Sequence, residues 1–321
     1  MVNNRINRLK IAKRSGKIFV DVFKYALLCA IGYVVIFPMI SAIVTALKDD
    51  KAFFDLSLYW IPKYISLDSF KVAFEAMDYE NAFLRTISLN ISSACIEIVM
   101  CAVVAYGFAR FDFKFKKLFY FLLIMTIVIP TQIYIVSMIL NFKSMDVLGI
   151  LGLFNKLTNI DIRPNILNTN LTFYLPSFFA MGLRSGILIY IYIQFFSGLP
   201  KELEEAASID GAGPFKTFYS IAIPSSSVVI VTVSVFSIVW HWNDYYLSQM
   251  YMTGNYPLAV KLSAIEEALK LNNRFMGAAS TALIDASKMA GCVLFILPVL
   301  IFYLCIQNKF VKSIDRVGIT G

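Results

Sequence analysis

Three groups of polar residues stand out from an otherwise apolar chain. The first is KELEEAASIDGAGPFKTFYSIAIP, Lys201 to Pro224, where Glu202, Glu204 and Glu205 open a small-residue segment that stops at Gly211 and Pro214. The second is WHWNDYY. In it, the aromatic faces of Trp240 and Trp242 beside Asn243 and Asp244 suit stacking on and hydrogen bonding to a sugar, so these residues are candidates for a substrate path. Both tryptophans equally suit an interfacial belt, and Asn243 and Asp244 equally suit packing between helices. The third is a pair of opposite charges inside apolar runs, Glu97 and Arg184. Ordinary catalytic constellations are missing: there is no GxxxxGK[ST] phosphate loop, GxSxG or HExxH. With a single histidine, His241, no multi-histidine metal site can form. The five cysteines (Cys29, Cys95, Cys101, Cys292, Cys305) lie in apolar runs without metal-ligand spacing. The expectation is a non-catalytic chain that binds no cofactor or metal of its own.

The elements that must hold these groups are membrane helices. Hydrophobic residues make up 59% of the 321 and charged residues 16%, which is too apolar for an ordinary soluble domain. Six apolar runs are long enough to cross a bilayer: Tyr25 to Leu47, Leu84 to Phe108, Leu118 to Leu140, Leu171 to Phe196, Ser225 to Tyr246, and Ala286 to Gln307. The sequence therefore predicts an all-α, polytopic membrane helical bundle of six transmembrane helices. It divides into a basic N-terminal segment (1–24), a transmembrane domain (25–307) with a loop at 197–224, and a C-terminal tail (308–321).

Charge sets the orientation. Basic residues flank the first run, fill RFDFKFKK (Arg110 to Lys117) and recur in NKFVKSIDR (Asn308 to Arg316), which places these segments and both termini in the cytoplasm. The first run is too long for a signal-peptide core and is expected to stay as an anchor. Membrane topology accounts for the net charge of +8, so no nucleic-acid partner is implied. Tyr59, Trp60, Tyr245 and Tyr246 read as interface anchors, and Pro38, Pro130, Pro176 and Pro298 as kinks within spans. FNKLTNIDIRPNILNTN, Phe154 to Asn170, reads as a long outer loop.

This topology puts the acidic stretch between spans four and five on the cytoplasmic side. Pro200 and the three glutamates mark a helix start and Gly211 its stop, giving a helix of two or three turns. Acids and alanines suit a socket in a protein better than a bed of lipid headgroups. Glu97 and Arg184 each lie thirteen residues past the estimated outer end of their spans, about 20 Å deep, so a mutual ion pair is expected. The open alternative is an Arg184 that faces the water-filled path and binds solute.

The acidic stretch resembles the EAA loop of ABC importer permeases. Glu205, Ala206, Ala207, Gly211, Ile221, Ile223 and Pro224 fall at that spacing, with Ile223 in place of the usual Leu. WNDY (Trp242 to Tyr245), AYGFARFDFKFKK, Ile129-Pro130 and the MAG and LPVLIFYLCIQNKFV runs are similar to the second six-span permease of maltose and multiple-sugar importers. The resemblance covers Tyr25 to Gly321. The long Phe154 to Asn170 loop and Arg184 depart from the pattern. It implies a cytoplasmic coupling helix whose Glu204, Glu205, Ala206, Ala207, Asp210 and Gly211 meet an ATPase. It further implies two ATP-binding cassette subunits carrying ATP and Mg, a second permease, an extracellular solute-binding protein and a bacterial plasma membrane. The implied function is import of a sugar or oligosaccharide; import of another solute, or an ion-coupled secondary carrier, are the alternatives. The tail ending DRVGITG is open between a frayed terminus and an element that reaches the ATPase interface.

Overall fold

A computed structural model describes residues 2–48, 65–146, 149–158, 160–271 and 278–318. The described residues are helical, apart from loops and one isolated antiparallel bridge between Lys48 and Ile65. In chain order the helices are α1 (Val2–Ala46), α2 (Asp68–Ala76), α3 (Tyr79–Thr86), α4 (Ser92–Arg110), α5 (Lys116–Val128) and α6 (Thr131–Lys143). There follow α7 (Ile150–Thr158), α8 (Leu171–Phe178), α9 (Ser185–Ser197), α10 (Glu202–Ile209), α11 (Pro214–Thr217) and α12 (Ile223–Ser225). The last are α13 (Ser227–Trp242), α14 (Tyr246–Tyr251), α15 (Leu258–Ser263), α16 (Ile265–Lys270) and α17 (Ala278–Gly318). Two compact units divide the chain. One takes residues 1–73 and 269–294; the other, 74–268 and 295–321, contains every site described below.

Among the described residues three helical stretches are long and apolar enough to cross a membrane: Lys17–Ala46, Tyr79–Arg110 and Thr281–Asn308. Two bent pairs raise the number to five if each is one span: α5 with α6, turned by 102°, and the run from Pro214 to Ser225 with α13, turned by 81°. The protein is thus an all-α polytopic membrane bundle. Pro130 breaks the third expected span where a mere kink was predicted. It lacks an N–H and pushes Ile129 into extended backbone, φ −75° and ψ 116°, so the helix stops and restarts. Pro38 and Pro298, by contrast, lie inside continuous helices.

The expected fourth span is also divided. Residues 179–184 separate α8 from α9, and both Ala180 (φ 53°) and Arg184 (φ 59°) take left-handed backbone. The thirteen residues of α9 extend about 20 Å, short of a full crossing. The Phe154 to Asn170 stretch is not all loop either, since α7 runs into it. Tyr59 and Trp60 lie outside the described residues. The tail expectation does so in part, because α17 is described only to Gly318.

Within the larger unit α4 packs along α9, α8 and α13. Small residues make the approach of α4 to α9 close: Ala94, Cys101, Ala102 and Ala105 are buried on α4, and the Cys101 thiol meets the Ser185 carbonyl at the head of α9. Around them Tyr106, Leu188, Ile189, Tyr192, Phe196 and Val233 form one apolar core. A second gathers Leu89, Ile135, Phe142, Phe173, Leu247 and Tyr251. A one-turn π segment, Ile87–Ile91, precedes α4 and aims the buried Asn90 amide at the His241 carbonyl, 2.5 Å away.

Gly186 marks the tightest crossing of α9 with α5. A Cβ there would stand 2.5 Å from Thr126 Oγ1 and 3.0 Å from an Ile127 side-chain carbon. Gly186→Ala should therefore cost about 1 to 3 kcal/mol through overpacking, read as a lowered melting temperature of the purified chain in detergent. An unchanged melting temperature would show that the crossing has slack.

Candidate functional site

The acidic stretch folds as the short helix α10, with Glu202, Glu204 and Glu205 in its first turn. Its end follows from Gly211. With φ 76°, Gly211 donates its N–H to the Ser208 carbonyl while Ala212 donates to Ala207, closing two otherwise orphaned carbonyls in a Schellman turn. Asp210 is the C-cap.

One face of α10 is fastened to the end of α4. Arg110 Nε lies 2.9 Å from Glu204 Oε1, and another guanidinium nitrogen of Arg110 donates to the Leu199 carbonyl at 2.7 Å. The Tyr106 hydroxyl donates to the same Glu204 oxygen at 3.2 Å. Tyr106 in turn stacks among Phe196 and Phe218. Ala207 is buried against its own chain, while Ala206 and Ser208 are exposed, with Glu205. The outward surface is also apolar: Ile209 is 87% and Phe215 83% exposed. Arg110 was readable in the sequence only as one more inside charge; its partner across 94 residues was not. The acidic helix start and the small residues are in the sequence, but their apportionment between the two faces is a tertiary fact.

The expected Glu97–Arg184 pair is not formed. Glu97 is wholly buried, and its carboxyl accepts hydrogen bonds from the hydroxyls of Ser185 and Ser237, the latter at 3.2 Å. The two charged residues do lie at one level, but it is the neighbour Ser185 that turns inward, while Arg184 faces out. His241 completes the buried cluster. Its Nδ1 lies 2.9 Å from the Ser237 carbonyl, which can only accept, so Nδ1 carries a proton. Nε2 faces Glu97 Oε2 at 3.6 Å. That separation is too long for a hydrogen bond, so the imidazole lies beside the carboxyl without bonding to it. The lone histidine, set aside in sequence as too few for a metal site, is thus a neighbour of the buried acid.

Arg184 instead lies over Trp240, the guanidinium carbon 5.0 Å from the ring centroid. Phe236, one turn back on α13, stacks on the same indole at 5.4 Å. Trp242 and Asp244 take structural positions. The Trp242 indole N–H donates to the Phe295 carbonyl at 3.1 Å, and the Asp244 carboxylate accepts the Leu247 and Ser248 amides that open α14. Asn243 is exposed and donates to Val239. Of the four substrate-path candidates in the aromatic stretch, Trp240 and Asn243 therefore remain accessible.

A family model described as binding-protein-dependent transport system inner membrane component matches residues 98–316, which takes in α9, α10 and α13 with all the polar groups above except Glu97. The chain belongs to this family. Members of it are permeases, which do not themselves catalyse a reaction. Among relatives of this permease, the probable starch degradation products transport system permease protein AmyC of Thermoanaerobacterium thermosulfurigenes is 27% identical over 79% of this chain and 81% of its own length. The melibiose/raffinose/stachyose import permease protein MelC of Bacillus subtilis is 27% identical over 88% and 91%. The trehalose transport system permease protein SugB of Mycobacterium tuberculosis is 25% identical over 81% and 84%. A chain from the crystal structure of a bacterial ABC transporter involved in the import of the acidic polysaccharide alginate shares the fold: TM-score 0.71 and 19% identity, covering 92% of this permease and 98% of that chain.

The two serine bonds make a prediction about Glu97. Glu97→Gln keeps an oxygen for one serine hydroxyl and offers its amide N–H to the other, so it should melt close to wild type. Glu97→Leu orphans the Ser185 and Ser237 hydroxyls and should cost about 1 to 3 kcal/mol per orphan. Equal melting of the two variants would refute the hydrogen-bonding account.

Proposed function

We propose that this permease is a transmembrane subunit of an ATP-driven importer for a sugar or oligosaccharide. In this reading it crosses a bacterial plasma membrane six times, with the broken α8 and α9 as one crossing and both termini in the cytoplasm. Residues 1–24 and 308–321 are its cytoplasmic ends, and the loop at 197–224 couples it to an ATPase. It pairs with a second permease and two ATP-binding cassette subunits, where ATP and Mg reside, and receives solute from an extracellular binding protein. Family membership supports the transport role. The sugar assignment is supported by the names of relatives that carry starch products, trehalose and melibiose.

The observation that carries the coupling role is the two-faced α10. One face is held to α4 by Arg110 and Glu204, and the other presents Glu205, Ala206 and Ile209 outward, with Phe215 of α11 exposed close after it in the chain. An apolar, small-residue surface on a fastened short helix suits a socket in a partner that moves. Closure of the ATPase pair would push α10 as a lever, and the Arg110 fastening would carry the push into α4 and the bundle. Asp210 and Gly211 close the lever's end.

Two experiments test this. Gly211→Val forces a β-branched residue into left-handed backbone, costing about 1 to 2 kcal/mol locally; paired with Ile209→Asp it should abolish copurification of the ATPase subunits and uptake while the permease remains in the membrane. Survival of both activities would remove α10 from the interface. In proteoliposomes of the whole importer, uptake of labelled oligosaccharide should require ATP inside or outside the vesicle on the ATPase side and persist with ionophores. Dependence on an ion gradient would favour a secondary carrier.

The α10 fastening is tested separately by a double-mutant cycle. Arg110→Ala and Glu204→Ala should each lower solute-stimulated ATPase activity, and the pair should couple by about 0.5 to 3 kcal/mol. Additive effects would mean the ion pair transmits nothing.

A further inference from the structure

Arg184 is a charge without an ionic partner where one is needed. Its guanidinium is permanently ionised, yet among the described residues no carboxylate pairs with it, and Glu97, the acid expected to do so, is held by Ser185 and Ser237. It lies at the start of α9, about 20 Å along that helix from Ser197 and the coupling segment. The hydrocarbon layer is about 30 Å thick, so a charge there must face protein, water or a ligand.

The side chain is also displayed. Arg184 sits at the break between α8 and α9 in left-handed backbone, a conformation a non-glycine residue holds only where its surroundings impose it. It is exposed, with one face of the guanidinium laid over Trp240 and its in-plane donors left free. Phe236, exposed beside Trp240, extends the aromatic surface. A planar fork of donors matches a carboxylate in two parallel hydrogen bonds, and an aromatic surface next to it matches the C–H face of a pyranose.

We propose that Arg184, set over Trp240 beside Phe236, is a solute subsite for the carboxylate of an acidic sugar, so that this permease carries uronate-containing oligosaccharides. This rests on the carbohydrate reading above and narrows it. The neutral aromatic stacking partners accept any sugar ring; the unpaired cation is what selects an anionic one. An acidic side chain from the second permease would satisfy the same cation, and the test separates the two.

The complete importer, with its ATPase subunits and binding protein in proteoliposomes, is titrated with diuronides (digalacturonate, dimannuronate, diglucuronate) and with neutral disaccharides of the same linkages, reading ATPase stimulation and uptake. A diuronide should stimulate wild type at a concentration roughly tenfold or more below its neutral counterpart. Arg184→Gln should erase that preference while the complex elutes intact from size exclusion, and Arg184→Lys should retain part of it. Stimulation by neutral sugars alone, or a preference that survives Arg184→Gln, overturns the subsite. Loss of the second permease from the Arg184→Gln complex also overturns it, in favour of an intersubunit ion pair. Failure of both sugar classes to stimulate wild type would overturn the carbohydrate reading itself.

Discussion

A carboxyl group buried in the middle of an apolar bundle constrains everything packed around it, because each of its oxygens must find a donor and water cannot supply one. In this permease Glu97 on α4 finds Ser185 at the head of α9 and Ser237 on α13, with His241 one turn further along α13. These bonds join three helices that are far apart in sequence and fix their rotation about their own axes. Close approach then follows. Gly182 has no side chain to spare, since a Cβ there would stand 2.7 Å from Glu97 Oε1, and the Cys101 thiol lies 3.9 Å from the Ser185 carbonyl. Sliding α9 by one residue would replace Ser185 with Arg184 or Gly186 and leave the carboxyl unsatisfied, so the register of the crossing is set by a polar requirement that apolar packing alone could not impose.

The same crossing decides where Arg184 points. Once Ser185 faces the carboxyl, its neighbour must face away, and the left-handed turn at Arg184 carries the guanidinium onto Trp240. The inward serine and outward arginine are consequences of one geometry. A residue that in a regular helix would sit about 100° around the axis is here turned by the break between α8 and α9.

At its far end α4 meets a second polar anchor. Arg110, thirteen residues beyond Glu97 and therefore about 20 Å along the helix, holds Glu204 and the Leu199 carbonyl. One rigid helix thus carries both the buried polar crossing and the fastening of the short surface helix. Any displacement of α10 loads α4 directly, and α4 cannot rotate without disturbing the bonds to Ser185 and Ser237.

Much of this was legible in the residues alone. Apolar runs of bilayer length, Lys and Arg beside them, and the acids, alanines and glycine of Lys201 to Pro224 determine the membrane bundle and the short helix, because burial, charge placement and capping act over a few consecutive residues. Pro130 and the 179–184 break were less legible: a hydropathy window sums over a turn or two of chain and does not register whether the backbone within it is continuous. The partners were not legible at all. Counting residues along two spans suggested that Glu97 and Arg184 could meet, but which side of each helix faces the other depends on rotation about the helix axis, and rotation was fixed by serines that carry no signal of their own in an apolar run. Composition and local spacing thus settle that the chain is an apolar helical bundle with a short capped acidic helix, whereas the choice of Ser185 over Arg184 as the group that answers the buried acid is made by packing between helices brought together from distant parts of the chain.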